Sequence, residues 1–199
     1  MRRPAHADRR RTEAFGLAAD DYDRYRPRYP RSLITGLVGG GHVRALDVGA
    51  GTGIASAQLM EAGAEVLAVE PDSRMARVAA DNGIPIEQAT FEDWQPAGRS
   101  FALVVFAQSF RWVQPEHALE KLASILRPGG RLALLSNRIT PMSPTWRELG
   151  EAYAGYLDST QPAIDAAHDE MLMAMIQDHG YTIERFVTER LHDATDARG

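Results

Sequence analysis

The chain contains no cysteine among its 199 residues. That absence removes disulfides, thiolate metal sites and a cysteine nucleophile, and it agrees with a reducing, cytoplasmic setting. No stretch approaches the roughly 20 consecutive apolar residues of a membrane-spanning helix, so no membrane partner is expected. Positive charge is scarce as well: 22 Lys and Arg stand against 27 Asp and Glu, a formal net charge of −5. The electrostatic footprint of a nucleic-acid binder is missing, and nucleic acid is not an expected partner. The six histidines form no His-Glu-x-x-His or similar pairing. His117 and His168 read as surface residues, and no metal is expected. The Arg-rich start (Arg2, Arg3, Arg9, Arg10, Arg11) lacks the apolar run of a secretory leader and reads as a solvated tail.

What is present is an average globular composition, 44% hydrophobic and 25% charged, in a length suited to one domain. Residues 1–12 read as a disordered basic tail and 13–199 as that domain. The stretch that organises it is Arg44-Ala45-Leu46-Asp47-Val48-Gly49-Ala50-Gly51-Thr52-Gly53, an apolar run ending in an acid and three alternate glycines. It reads as a buried strand breaking into a tight loop that starts a helix. Glycine is required where φ turns positive or where backbone approaches a ligand, and the helix start offers unpaired N–H groups. The pattern is a nucleotide-type cradle.

Strands are predicted at about 43–48, 65–70, 84–89, 101–107 and 131–136, with helices between them over 52–62, 73–81 and 115–126. Ser32 reads as the cap of a short helix ending at Gly39. Helices are also predicted at about 145–157 and 163–179, followed by a strand from Tyr181 to Leu191. The methionine-rich stretch Met171 to Ile176 reads as core, or as the wall of an adaptable pocket. The β-α alternation implies an α/β doubly wound, mostly parallel sheet, with ligands beyond the carboxyl ends of the strands.

Spacing narrows the ligand. A dinucleotide fingerprint needs G-x-G-x-x-G, but Gly53 comes one place early, and no Lys-Ser or Lys-Thr pair follows to make a P-loop. Glu70 ends the second predicted strand, close to where an acid reaches a ribose diol. Capping the next helix is its other reading, although Asp72 and Ser73 are better placed for that.

Leu46 to Gly53 resembles motif I of the class I S-adenosylmethionine-dependent methyltransferases. Ala68-Val69-Glu70-Pro71-Asp72, Phe91-Glu92-Asp93-Trp94 and Leu126-Arg127-Pro128-Gly129-Gly130-Arg131-Leu132 resemble later motifs of that family. The segment Tyr22 to Pro30, with Ser109 to Val113, is similar to a small-molecule subgroup that includes relatives of trans-aconitate methyltransferase. The resemblance implies a Rossmann-like fold with N-terminal lid helices at 13–41, a cofactor-binding core at 42–140 and a substrate-side region at 141–199, shortened relative to the family. It implies S-adenosylmethionine as cofactor, with Gly49, Gly51 and Gly53 admitting its methionine part and Asp47 orienting the loop or meeting the amino group through water. Glu70, followed by Pro71, would hold the ribose, and Thr90 and Phe91 would meet adenine. Arg26 would pair with the cofactor carboxylate, and Tyr22 and Tyr29 would cover the sulfonium.

Methyl transfer from a sulfonium needs alignment more than acid-base help, so catalytic groups are few. Gln108, Arg111 and Tyr22 are the candidates. Arg111 stands where many members of the subgroup have histidine, so anion binding replaces general-base chemistry there; an exposed arginine stacked on Trp112 is the alternative. Arg111, Trp112, Asn137 and Trp146 are the candidate pocket wall for a small polar or carboxylated metabolite. An uncovered sheet edge would invite a homodimer. Two other functions remain open on the sequence: an intramolecular displacement that releases methylthioadenosine, and a regulatory cofactor binder without turnover.

Overall fold

The computed structural model of the chain describes residues 26–137, 142–153 and 166–188. The expected basic tail, the lid segment before Arg26 and the end of the strand predicted to reach Leu191 lie outside the described residues. The chain divides into two compact units, Met1–Leu135 with Glu184–Gly199, and Ser136–Ile183.

In the first unit, helix α1 (Arg31–Val38) leads into β1 (Arg44–Val48), α2 (Ile54–Glu61), β2 (Glu65–Val69), α3 (Ser73–Asp81) and β3 (Ile86–Glu87). β4 (Phe101–Ala107), a 3-10 turn at Phe110–Trp112, α4 (Pro115–Ile125) and β5 (Leu126–Leu135) follow. The five strands lie in the order β3-β2-β1-β4-β5 and every pairing is parallel. Central β1 is flanked on both sides, Leu46 standing opposite Leu67 of β2 and Val104 of β4. Such a strand is mostly apolar, and Ala45, Leu46 and Val48 are buried, together with the carboxylate of Asp47.

Alternation along the strands sends side chains to opposite faces. One face packs Ala45, Val66, Leu103, Val105 and Ala133 against Ile34 and Val38 of α1 and Ala55 and Leu59 of α2. Phe106, from the opposite set of β4 positions, meets Phe91 edge-on at 5.5 Å and Phe110 at 5.0 Å between ring centres. α4 buries Ala118, Leu119, Leu122 and Ile125 along one stripe, as its 3.6-residue periodicity requires.

Three local expectations change. α1 begins at Arg31 with Pro30 as its N-cap and no side-chain cap, so Ser32 lies inside the helix; the ring of Pro30 already fixes φ at −56°. β5 starts at Leu126, which pairs with Phe101 before the chain bulges through Arg127 to Gly130 and resumes pairing at Arg131. Tyr181 to Thr188 forms no strand: Phe186 and Val187 are 73% and 72% exposed, and among the described residues the segment pairs with no strand.

The second unit contains α5 (Trp146–Tyr153) and α6 (Ala166–Asp178). α5 opens on a capping box, in which the Thr145 amide and hydroxyl donate to Glu148 Oε2 (2.7 and 2.8 Å) and the Glu148 amide donates back to Thr145 Oγ1 (3.3 Å). Within α6, Ile176 is buried while Met171 is largely exposed. No helix among the described residues is long and apolar enough to cross a membrane.

Candidate functional site

Strand order reverses between β1 and β4, and the crevice at that reversal is where ligands bind in such sheets. An open cleft lies there. Gly49 to Thr52 form one wall with Ile54 and Ala55, Ala107 and Gln108 at the end of β4 form another, and Arg26, Pro27 and Tyr29 complete it.

The glycine loop has its shape for identifiable reasons. Gly49, Gly51 and Gly53 have φ of 67°, 59° and 87°, the left-handed region that side chains resist. A Cβ on Gly49 would stand 2.5 Å from that of Ser109, and one on Gly53 would stand 2.8 Å from Ile84 Cγ1. At Gly51 it would meet only Met75 Sδ at 3.6 Å, an ordinary contact. The loop is tied back by the Gly49 and Ala50 amides, which both donate to Val69 O (2.8 and 3.2 Å), and by the Ser109 hydroxyl, which donates to Val48 O.

Two buried carboxylates support it from below. Asp47 is fully buried; its Oδ2 accepts a 2.7 Å bond from the Ser56 hydroxyl of α2, while its Oδ1 has no partner. Burial pushes this carboxyl up to about 6, the Ser56 hydroxyl working against the rise and the charge of Glu70 adding to it. Glu70 is also buried. Its Oε2 accepts from the Gly51 amide at 2.8 Å and its Oε1 from the Asp72 amide at 2.9 Å, so it holds the glycine loop and the entry to α3 together. Burial raises its pKa, and those two amides oppose the rise. Asp72 takes the capping role, accepting from the amides of Arg74 and Met75. Thr52 Oγ1, at the cleft, is a second buried oxygen without a partner.

Of the residues singled out in the sequence, Arg26, Tyr29, Gly49, Gly51 and Gln108 meet at the cleft. Gln108 sits there with φ of 67°, unusual for a residue with a side chain, its amide fixed to Leu135 O at 2.8 Å. Asp47 and Glu70 lie behind the loop rather than in the lining, Gly53 packs toward Ile84, and Pro71 is exposed. Thr90 and Phe91 belong to a separate turn. The Thr90 hydroxyl donates to Asp93 Oδ2 at 2.8 Å, and Phe91 is buried against Phe106. Arg111 is exposed with its guanidinium 5.8 Å from the ring centre of Trp112. Asn137 and Trp146 belong to the second unit, Asn137 exposed and Trp146 partly buried at the first turn of α5. Tyr22 lies outside the described residues. The lining also includes Pro27, Ala50, Thr52, Ile54, Ala55 and Ala107, and the support includes Ser56, Gln58 and Ser109; of these, Ala50 and Thr52 carried a signal by standing inside the glycine motif, and Pro27 and Ser109 by standing in the two segments similar to the small-molecule subgroup.

Residues 46–134 match the family model described as a methyltransferase domain. An uncharacterized methyltransferase of Mycobacterium tuberculosis is 38% identical over 141 residues, taking in 69% of this chain and 58% of that protein. The demethylmenaquinone methyltransferase of Clavibacter sepedonicus is 32% identical over 127 residues, 61% of this chain and 50% of that one. The chain thus spans little more than half the length of these curated relatives. Among solved structures, a SAM-dependent methyltransferase of Thermotoga maritima, described as a possible histamine N-methyltransferase, superposes with a TM-score of 0.54 at 22% identity, covering 89% of this chain and 79% of that one. A TehB-like SAM-dependent methyltransferase of Corynebacterium glutamicum gives 0.54 at 17% identity, with 89% and 84% covered. Identities this low bear on the fold alone. Over residues 46–134 the chain thus matches the methyltransferase-domain family model, and its fold is the Rossmann-like class I methyltransferase fold.

Proposed function

We propose that this protein transfers the methyl group of S-adenosylmethionine to a small polar or carboxylated metabolite, in the manner of the trans-aconitate methyltransferase-like subgroup. The observation that carries the reading is the glycine-loop cleft at the strand reversal, with two buried oxygens, Asp47 Oδ1 and Thr52 Oγ1, left without partners beside it. A ligand with an ammonium group and a carboxylate fits those residues: acceptor oxygens lie at and beneath the loop, and Arg26 is among the lining residues. Gly49 and Gly51 would admit its backbone-like portion, and each Glu70 oxygen keeps an acceptor site beyond the amide it already holds. When bound, the sulfonium supplies an electrophilic methyl with a good leaving group.

This chain's own residues then have a positioning task. Ile54, Ala55 and Ala107 give the cleft an apolar wall that limits water, and Tyr29 and Gln108 border the space where an acceptor would approach. Among the described residues lining the cleft there is no carboxylate or imidazole. The reading therefore favours an acceptor atom that is nucleophilic without prior deprotonation, such as a carboxylate oxygen or a free amine, held in line with the methyl.

The test is incubation of the protein with isotope-labelled S-adenosylmethionine and a pool of cellular metabolites, followed by mass spectrometry. Label in a small anionic or amine product, with S-adenosylhomocysteine released, supports the proposal. Release of methylthioadenosine, or tight cofactor binding without any labelled product, overturns it.

A further inference from the structure

The segment Arg26 to Pro30 contributes three residues to the cleft although it belongs to no helix or strand. Pro27 and Pro30 fix φ at their own positions, and each disfavours helix at the residue before it, which keeps the segment extended. It needs something to hold it against the glycine loop. Tyr29 supplies part of this by burying its side chain in the cluster formed with Ile34, Val38, Ala55 and Leu59.

The other part is polar. The Tyr29 amide donates to Gln58 Oε1 at 3.0 Å, and Gln58 Nε2 donates to the Tyr29 carbonyl at 2.8 Å. In extended backbone the N–H and C=O of one residue point to the same side, so one carboxamide can take both, as a facing residue does in an antiparallel pair. Gln58 lies on α2, the helix that starts at the glycine loop and contributes Ile54 and Ala55 to the same cleft. One side chain therefore ties the segment's backbone to the element beneath it. Asparagine is a methylene shorter, and a carboxylate could accept but not donate.

We propose that Gln58 is a positioning residue, latching the Arg26–Pro30 strap over the cleft so that latch closure and cofactor binding reinforce each other. The proposal rests on the cleft being the cofactor site. Reciprocity follows: if the latched strap improves binding, bound ligand must tighten the latch by the same factor.

The experiment uses the full chain, its Gln58→Met and Gln58→Glu variants, and S-adenosylhomocysteine as probe. Calorimetry gives the dissociation constant, and NMR hydrogen exchange follows the Tyr29 amide with and without the probe. Gln58→Met keeps the packing volume and removes both hydrogen bonds. It should weaken binding by about five- to thirty-fold, the scale of one to two hydrogen bonds, and accelerate Tyr29 exchange in the ligand-free protein. In the wild type the probe should slow that exchange further. Gln58→Glu, compared with the wild type at each pH, should bind relatively worse at pH 8, where the ionised side chain cannot donate to the Tyr29 carbonyl, than at about pH 4, where much of it is protonated and can. An unchanged dissociation constant in Gln58→Met overturns the proposal, even if the melting temperature falls, since Gln58 would then be merely structural. If the wild type does not bind the probe, the cofactor reading fails on its own, while Tyr29 exchange in the ligand-free chains still judges the latch.

Discussion

Asp47 is held in the fold at a cost. Its carboxyl has a pKa of about 6 when folded against 3.8 when exposed. Between those values the folded state binds more protons than the unfolded one, so stability falls as pH rises through the window and stays lower above it. The gap corresponds to about 3 kcal/mol at neutral pH. Asp47→Asn retains an acceptor for Ser56 and removes the charge. Its melting temperature should exceed that of the wild type at pH 7.5, with the difference closing toward pH 4, and thermal melts across that range check it. The glycines divide in a similar way. Gly49→Ala combines a left-handed φ with a 2.5 Å approach to Ser109 and should cost about 2–4 kcal/mol in urea unfolding. Gly51→Ala has room and should cost only about 1–2 kcal/mol for its backbone; equal losses would refute the division. Asp47, Glu70 and the glycine spacing were legible because they stand at strand ends within two short motifs. The supporting bonds of Ser56, Gln58 and Ser109 were not, since they reach partners 9, 29 and 61 positions away and no local pattern encodes that.

Among the elements, α4 carries the tie that no periodicity shows. Lys121 donates to the carbonyls of Phe91 (2.6 Å), Glu92 (3.1 Å) and Trp94, with its ammonium 5.1 Å from the Phe91 ring centre. Without it the part-buried carbonyls of Phe91 and Trp94 would lose this donor, which costs about 1–3 kcal/mol. Lys121→Met keeps the aliphatic length and should lower unfolding stability by that amount while speeding hydrogen exchange at 90–94 and not in β1. A stability loss without local exchange would show that the tie acts elsewhere. The apolar runs of β2 and β4, and the mostly apolar β1, made those strands readable, as strands buried on both faces are. The segment 181–188 misled for the complementary reason: Ile183, Phe186 and Val187 suit a strand, but a strand also needs a neighbouring edge, and propensity carries no information about one.

For the whole molecule, β-α alternation foretold a parallel sheet but not its order, because the jump from β3 back past β1 to β4 is set by which faces pack together. That jump places the loops after β1 and β4 on either side of one crevice, with two buried acids under one of them. Under the proposed function, a sulfonium cofactor in the cleft would bring positive charge toward Asp47 and Glu70, whose ionised forms burial disfavours. Binding should therefore favour the ionised carboxylates, lower their pKa values and release protons as pH approaches the folded value of Asp47. S-adenosylmethionine affinity should then weaken as pH falls below about 6. Calorimetry at about pH 6 in buffers of different ionisation enthalpy should detect a fraction of a proton released per ligand, shrinking by about pH 8. Asp47→Asn should abolish most of that release while still binding the cofactor through the loop. Proton release that persists in Asp47→Asn would move the linkage to Glu70, and the absence of any release in the wild type would mean that the ligand's charge does not reach either acid.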